Sequence, residues 1–231
     1  YGLGTPQEYV DRMVRLRVNC VWYLVARIGI PLFLVAGTML LPGAIAGMNL
    51  AGPDWLAYLW QFPLVLAVGG PLLEEPGWRG FALPRLESKF GYWGPLVGTL
   101  ILGVIWAAWH FPQYMMPEWA AQNGGFSIPS MLIYIAGVIP IAVILSWVYN
   151  VTRGSIFMVI IAHTSINTFG GIVILSLMPV GTDTLLFGII GFGVPALVII
   201  LATRGRLGFD RYLRAVPAEE RALDGITLPV E

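Results

Sequence analysis

The sequence has few charged residues, one cysteine and two histidines. Charged side chains make up 11% of the 231 residues, whereas hydrophobic ones make up 57%. Soluble domains carry charge on about 25% of their residues, so this composition excludes an ordinary soluble protein. Cys20 has no second thiol for a disulfide or a metal site. Thirteen basic residues balance thirteen acidic ones, and no basic cluster in the sequence indicates phosphate binding or a nucleic-acid partner.

Six apolar stretches are long enough to cross a membrane, which takes about 20 mostly apolar residues. They cover residues 21–41, 56–73, 92–111, 128–149, 156–178 and 185–202. The remaining polar sequence is too short to cover six such helices, which disfavours a large soluble protein that buries them. The sequence therefore predicts an all-α, polytopic transmembrane bundle of about six helices surrounded by membrane lipid.

The basic residues predict the orientation of this bundle. All but Arg27 fall in the N-terminal segment, after the second and fourth stretches, or after the last stretch. These positions share one side of a six-helix bundle, and the positive-inside rule makes that side cytoplasmic. We therefore expect both termini in the cytoplasm. Residues 1–20 would form a cytoplasmic segment, 21–202 the transmembrane domain and 203–231 a polar cytoplasmic tail.

Ionisable residues inside the apolar stretches indicate where the chemistry lies. A charged group at the centre of a spanning helix costs about 2.5 to 3.5 kcal/mol on insertion scales, so it usually faces a partner or a wet cavity. Three clusters qualify, and each contains a pair four residues apart that shares one helix face. The pairs are Glu75 with Arg79, Trp106 with His110, and His163 with Asn167. Taken alone, each pair also fits an interfacial ion pair or a hydrogen bond between packed helices.

Glu74 begins the segment EEPGWRGFALPRL, which contains an EExxxR motif. Followed by His110 and by His163-x3-Asn167, this segment resembles the CPBP family of intramembrane proteases, which includes CAAX-processing endopeptidases and bacteriocin-immunity proteins. The resemblance covers the helices from about residue 56 to residue 178. Trp106 stands where the family often has phenylalanine.

The resemblance implies an intramembrane endopeptidase. Glu74 would activate water as a general base together with His110, while His163 and Asn167 would stabilise the oxyanion at the scissile carbonyl. Amide hydrolysis needs both a base and donors aimed at the developing negative charge. The substrate would be a peptide or protein cleaved near the cytoplasmic face, and the CAAX branch suggests prenylated C-termini.

Glu75 and Arg79 would orient this site, again by resemblance. Pro76 follows the two glutamates directly, and it has no N–H to bond the carbonyl of Leu72. We therefore expect the helix to kink or loosen beside the carboxylates.

Several alternatives stay open. Glu74, His110 and His163 could hold a divalent metal such as zinc, because two histidines and a glutamate form an established catalytic set. The metalloprotease signature HExxH is absent, as are the GxSG and GxGD segments of serine and aspartyl intramembrane proteases. A non-proteolytic binding, immunity or scaffold protein of the same family is the runner-up. A proton-coupled transporter is a more distant alternative, and no inverted repeat of apolar stretches supports it.

The predicted stretches also place Glu74 and His110 far apart. His110 lies about 27 Å along a straight helix from Tyr92, at 1.5 Å per residue, whereas Glu74 ends the second stretch on the cytoplasmic side. The two can meet if the second helix continues past Glu74 towards Pro84 and the third begins near Ser88.

Overall fold

The computed structural model describes residues 6–178 and 184–215, and it folds them into helices without a strand. The helices are α1 (Pro6–Met13), α2 (Cys20–Thr38), α3 (Trp55–Glu87), α4 (Gly91–Met115), α5 (Pro117–Gln122), α6 (Ile128–Val151), α7 (Ile156–Val173), α8 (Thr184–Ala202) and α9 (Phe209–Ala215). Side chains of Asp54, Ser127 and Ser155 cap the first turns of α3, α6 and α7. The predicted all-α fold is confirmed.

Five of the described helices are long and apolar enough to cross a membrane, namely α2, α3, α4, α6 and α7. The described part of the sixth predicted span, Gly188–Ala202 in α8, is also apolar but shorter. Large hydrophobic side chains point outwards along the helices, and Leu56 and Leu73 are 76% and 79% exposed. Such a surface is unfavourable in water and suits lipid. The chain is an integral membrane protein.

The predicted end of the second span is wrong. This helix, α3, does not stop at residue 73 but bends at Gly70, whose φ is 98°, and continues to Glu87. The charges of Glu74 and Glu75 suggested that the helix ends there. A buried partner, however, offsets part of the free-energy cost of placing a charge inside a span. The next helix begins at Gly91. The continuation that would let Glu74 meet His110 is therefore present.

The two described ends of the chain meet at one end of the bundle. Arg12 Nη1 of α1 donates to the Tyr212 hydroxyl of α9 at 3.0 Å. The Ser155 hydroxyl, at the start of α7, donates to the Arg15 carbonyl at 2.8 Å. Two chain ends lie at the same end of a bundle when an even number of helices cross the membrane between them. A sixth span in α8 would give that number. The cytoplasmic location of both termini stays a prediction.

The tail predicted from residue 203 begins with a packed helix. Three apolar side chains of α9 are buried: Phe209, Tyr212 and Leu213. The Tyr212 ring lies 5.4 Å from the ring of Tyr149 in α6. The apolar residues of this segment lie between arginines and form a face that packs on the bundle. The segment is polar on average, so its composition alone did not indicate this face. Residues 216–231 lie outside the described residues.

Helix α7 lies at the centre of the bundle. In an 18-residue window of this helix, 67% of the residues are buried, against 11% in the corresponding window of α3. Its polar residues are buried as well, including His163, Thr164 and Ser165. The Thr164 hydroxyl bonds the Ile160 carbonyl of the same helix at 2.7 Å. The central helix therefore carries polar groups into the interior, where they need partners from other helices.

Candidate active site

Glu75 is the centre of a buried charged network. Its Oε1 accepts a hydrogen bond from Arg79 Nη1 at 2.9 Å and lies 2.7 Å from His163 Nδ1. Glu75 and Arg79 are fully buried, and His163 is 4% exposed. If Glu75 is ionised its oxygen can only accept, which assigns the hydrogen to Nδ1 of His163 and leaves Nε2 for other chemistry. The network thus joins α3 to the central helix α7.

The local structure of α3 explains how Glu75 and Arg79 enter the interior. A regular helical turn, Pro71–Glu75, is followed by a π-helical segment, Pro76–Ala82. This segment confirms the loosening expected from Pro76, whose ring prevents a regular continuation. At Gly80 an added Cβ would lie 2.7 Å from Ile156 Cδ1. A small residue at this position lets α3 approach α7 closely enough for the charged network to form.

Trp106 connects the second glutamate to the network. Its Nε1 donates to Glu74 Oε2 at 2.9 Å. Its ring centroid lies 4.3 Å from the guanidinium carbon of Arg79 and 5.2 Å from the ring centroid of His163. The indole is 3% exposed, so these contacts take place away from water. A phenylalanine here could stack on Arg79 but could not donate to Glu74.

His110 lies at the C-terminal end of the regular part of α4, Gly94–Trp109. Its Nδ1 is 2.8 Å from the Trp106 carbonyl oxygen. A carbonyl only accepts, so Nδ1 carries the hydrogen and Nε2 of the neutral ring is an acceptor. The ring stacks 6.2 Å from Trp119 of α5 and lies 5.7 Å from Tyr134 of α6. Aromatic side chains therefore fix the orientation of this half-buried histidine.

Asn167 is the predicted site residue that stands apart. It lies one turn beyond His163 on α7, its side chain is exposed, and it forms no side-chain hydrogen bond with the described residues. The structure thus links five of the six predicted residues, directly or through Trp106: Glu74, Glu75, Arg79, His110 and His163.

A family model described as type II CAAX prenyl endopeptidase Rce1-like matches residues 55–169, a range that contains all six predicted site residues. The chain belongs to the CPBP family of CAAX-type membrane proteases. A CAAX prenyl protease 2 of Methanococcus maripaludis is 26% identical to this CPBP protein over 166 residues. That alignment covers 70% of this chain and 60% of the archaeal protein, so the chain spans less than two thirds of its relative.

Two members of the network in this CPBP protein retain unused hydrogen-bonding capacity. Glu75 Oε2 and the Nε and Nη2 of Arg79 are buried without a hydrogen-bond partner in the described part of the chain. An unsatisfied buried polar group costs about 1 to 3 kcal/mol, and more when it is charged. Folded proteins leave few buried polar groups unpaired, so these atoms can bond water or a substrate.

The predicted metal ligands are not arranged as a ready metal site. Among the described residues, no group of three or more His, Cys, Asp and Glu side chains could hold a metal ion. Glu74 Oε2 is bonded by the indole of Trp106, His110 Nδ1 by the Trp106 carbonyl and His163 Nδ1 by Glu75, so each of the three already has its own partner. The donor set therefore does not fit the zinc alternative, and we derive no step through a metal.

Sequence reasoning missed two polar contacts of this region. It paired Trp106 with His110 on one helix face and treated it as an aromatic replacement in the CPBP motif, but it did not predict the bond from the indole N–H to Glu74. It also missed Glu87, which is fully buried and accepts a hydrogen bond from Asn150 Nδ2 at 2.7 Å. No local pattern connects residues 87 and 150. Their contact joins the end of α3 to α6. It therefore supports the helix that carries Glu74 and Glu75.

Proposed function

We propose that this protein is an intramembrane endopeptidase in which Glu74 activates the attacking water. The observation that carries the proposal is the difference between two adjacent carboxylates. Glu75 is fully buried and bonded to Arg79 and His163. Glu74 is partly exposed, and among the described residues only its Oε2 has a hydrogen-bond partner, the indole of Trp106. Its Oε1 therefore has a lone pair that can accept a proton from water.

The environment of each glutamate supports a separate role. Trp106 holds Glu74 by one oxygen and leaves the other free, which suits a general base that must be oriented yet accessible. Glu75 holds a guanidinium and an imidazole at its Oε1, and its other oxygen is fully buried away from water. It is a positioning residue that fixes Arg79 and His163.

The reaction then follows from these groups. Water near Glu74 and His110 gives a proton to Glu74 as its oxygen attacks the scissile carbonyl. The negative charge on the carbonyl oxygen is stabilised by donors, for which His163 and Asn167 are the candidates. His163 can donate from Nε2 in its imidazolium form, with the Glu75 carboxylate as counter-ion. Collapse of the intermediate breaks the C–N bond, and the proton on Glu74 passes to the leaving nitrogen.

The proposed substrate is a membrane-associated peptide with a lipid-modified C-terminus, cleaved near the cytoplasmic face. The support is the name of the matching family model and that of the archaeal relative, both of which refer to CAAX prenyl proteases. The apolar outer surface of α3, including Leu73 beside Glu74, offers a lipid-facing approach for a prenyl group. Unmodified peptides should therefore be poorer substrates than prenylated ones.

The test is cleavage of paired prenylated and unprenylated CAAX peptides by the purified protein in detergent or nanodiscs. We expect Glu74→Gln to lower kcat by about 100-fold or more, the usual range for loss of a general base. The matched control is Glu118→Gln, which removes an exposed glutamate of α5 and should leave kcat unchanged. Full activity of folded Glu74→Gln would contradict the proposed role. Absence of any cleavage by the folded wild type would favour the binding or immunity alternative.

A further inference from the structure

A cavity of about 790 Å³ lies at the end of the bundle where the described chain ends meet. Three segments form its wall: the link between α1 and α2, the turn between α6 and α7, and α9. Five arginines line it, and no aspartate or glutamate is among the lining residues: Arg15, Arg17, Arg153, Arg211 and Arg214. The expectation that the protein has no basic cluster is therefore wrong. These arginines are far apart in sequence, and only the fold collects them.

Three of the cavity's arginines have no charged partner among the described residues. Within residues 6–178 and 184–215, the side chains of Arg17, Arg153 and Arg211 form neither an ion pair nor a hydrogen bond, and all three are exposed. Arg15 Nη1 instead donates to the Arg153 carbonyl at 2.6 Å and so ties two walls together. Like charges that converge on one concave surface create a positive potential that attracts anions.

The surroundings of the cavity are apolar. Trp22 lines it and packs edge-on against Trp147 at a centroid distance of 5.4 Å. Three aliphatic side chains of the same α1–α2 region are 62%, 51% and 53% exposed: Val14, Leu16 and Val21. A tryptophan beside exposed aliphatic groups at the start of a spanning helix is typical of the membrane interface. A soluble anion would use the arginines but not this apolar rim.

We infer that this cavity binds the headgroup phosphate of an anionic phospholipid, with the acyl chains along the apolar rim. Guanidinium groups bind phosphate oxygens with paired hydrogen bonds, and basic pockets at the ends of spanning helices bind anionic headgroups. A lipid so bound would bridge α2, the α6–α7 turn and α9. The inference is independent of the protease proposal, because the cavity shares no lining residue with the candidate active site.

The test compares two double variants by native mass spectrometry of the purified protein with added phosphatidylglycerol or phosphatidylcholine. Arg17→Gln with Arg211→Gln removes two exposed charges from the cavity. Lys89→Gln with Arg204→Gln removes two exposed charges at the same end but outside the cavity. We expect the wild type and the control to retain phosphatidylglycerol preferentially. The cavity variant should bind it roughly 10- to 30-fold more weakly, the effect of two basic residues at a membrane surface.

Three results would overturn the inference. Equal losses in both double variants would show a general surface charge effect instead of a site. Displacement of phosphatidylglycerol by millimolar inorganic phosphate would show a site for soluble anions. Equal retention of the two lipids by the wild type would show that the cavity does not select an anionic headgroup.

Discussion

At the scale of single residues, the protein separates two neighbouring carboxylates by what each one touches. Glu74 and Glu75 have the same chemistry, but Glu75 lies between Arg79 and His163, whereas Glu74 bonds a neutral indole at one oxygen. Two hydrogen bonds, one of them from a guanidinium, limit the movement of a carboxylate more than a single bond from a neutral indole does. The glutamate with fewer ties is the one that can exchange protons with water.

Trp106→Phe should lower kcat by about 10- to 100-fold with little change in KM, because a hydrogen bond to a charged group contributes about 1.5 to 3 kcal/mol. The phenyl ring would still pack against Arg79, but the lost hydrogen bond and the smaller buried ring should also lower the melting temperature. Peptide cleavage kinetics and thermal unfolding measure both quantities. Trp60→Phe, which changes a tryptophan 58% exposed on α3, is the control and should alter neither. An unchanged kcat in Trp106→Phe would show that the indole N–H has no role in positioning Glu74.

At the scale of helices, small residues decide which elements can touch. A Cβ added at Gly37 in α2 would lie 2.2 Å from the Gly191 carbonyl oxygen in α8. Such backbone proximity is typical of membrane helices, which associate through close packing at small residues. In contrast, a Cβ added at Gly188 in α8 would meet no atom within 4 Å. The contact between α2 and α8 therefore depends on one glycine and not on the other.

Gly37→Ala should destabilise the protein by about 1 to 3 kcal/mol, because the new methyl group must push α8 away from α2. Gly188→Ala should be neutral or stabilise by up to about 1 kcal/mol, since alanine is the better helix former and the space is open. Thermal unfolding of both variants in the same detergent measures the difference. Similar melting temperatures for the two variants would contradict the close approach of α2 and α8.

At the scale of the whole molecule, the paired ends of the chain and the basic residues define one face of the bundle. Contacts of α1 with α9 and of Arg15 with the start of α7 hold this face together. The candidate active site lies between α3, α4 and α7, on helices that these end contacts help to fix. Membrane orientation then determines from which side a substrate reaches the site.

Cysteine labelling in intact cells measures that orientation. In a Cys20→Ser background, Lys89→Cys should be protected from a membrane-impermeant maleimide until the cells are permeabilised, because its loop is expected in the cytoplasm. Glu118→Cys, exposed in α5 between α4 and α6, should react in intact cells. The reverse pattern would show the opposite orientation, and reaction of both residues from the same side would contradict the odd number of spans between them.

Composition and motif order were sufficient to predict the class of the molecule and the candidate residues of the site. Apolar length and scarcity of charge are local, additive properties, so they predicted a helical membrane protein and most of its spans without knowledge of contacts. The motif order likewise identified five of the residues that the structure links. These conclusions needed no information on which helices are neighbours.

Helix packing determines where the second span ends and which partner bonds each glutamate. It also brings together the arginines that line the cavity. Glu75 and His163 are 88 positions apart, and the cavity arginines come from three separate segments. Such contacts depend on helix packing, which no short stretch of sequence encodes, although the loosening at Pro76 was expected from the local sequence. Pairing between distant residues also lowers the free-energy cost of a charge inside a span. A prediction from local hydropathy takes no account of this pairing and therefore placed the end of α3 too early.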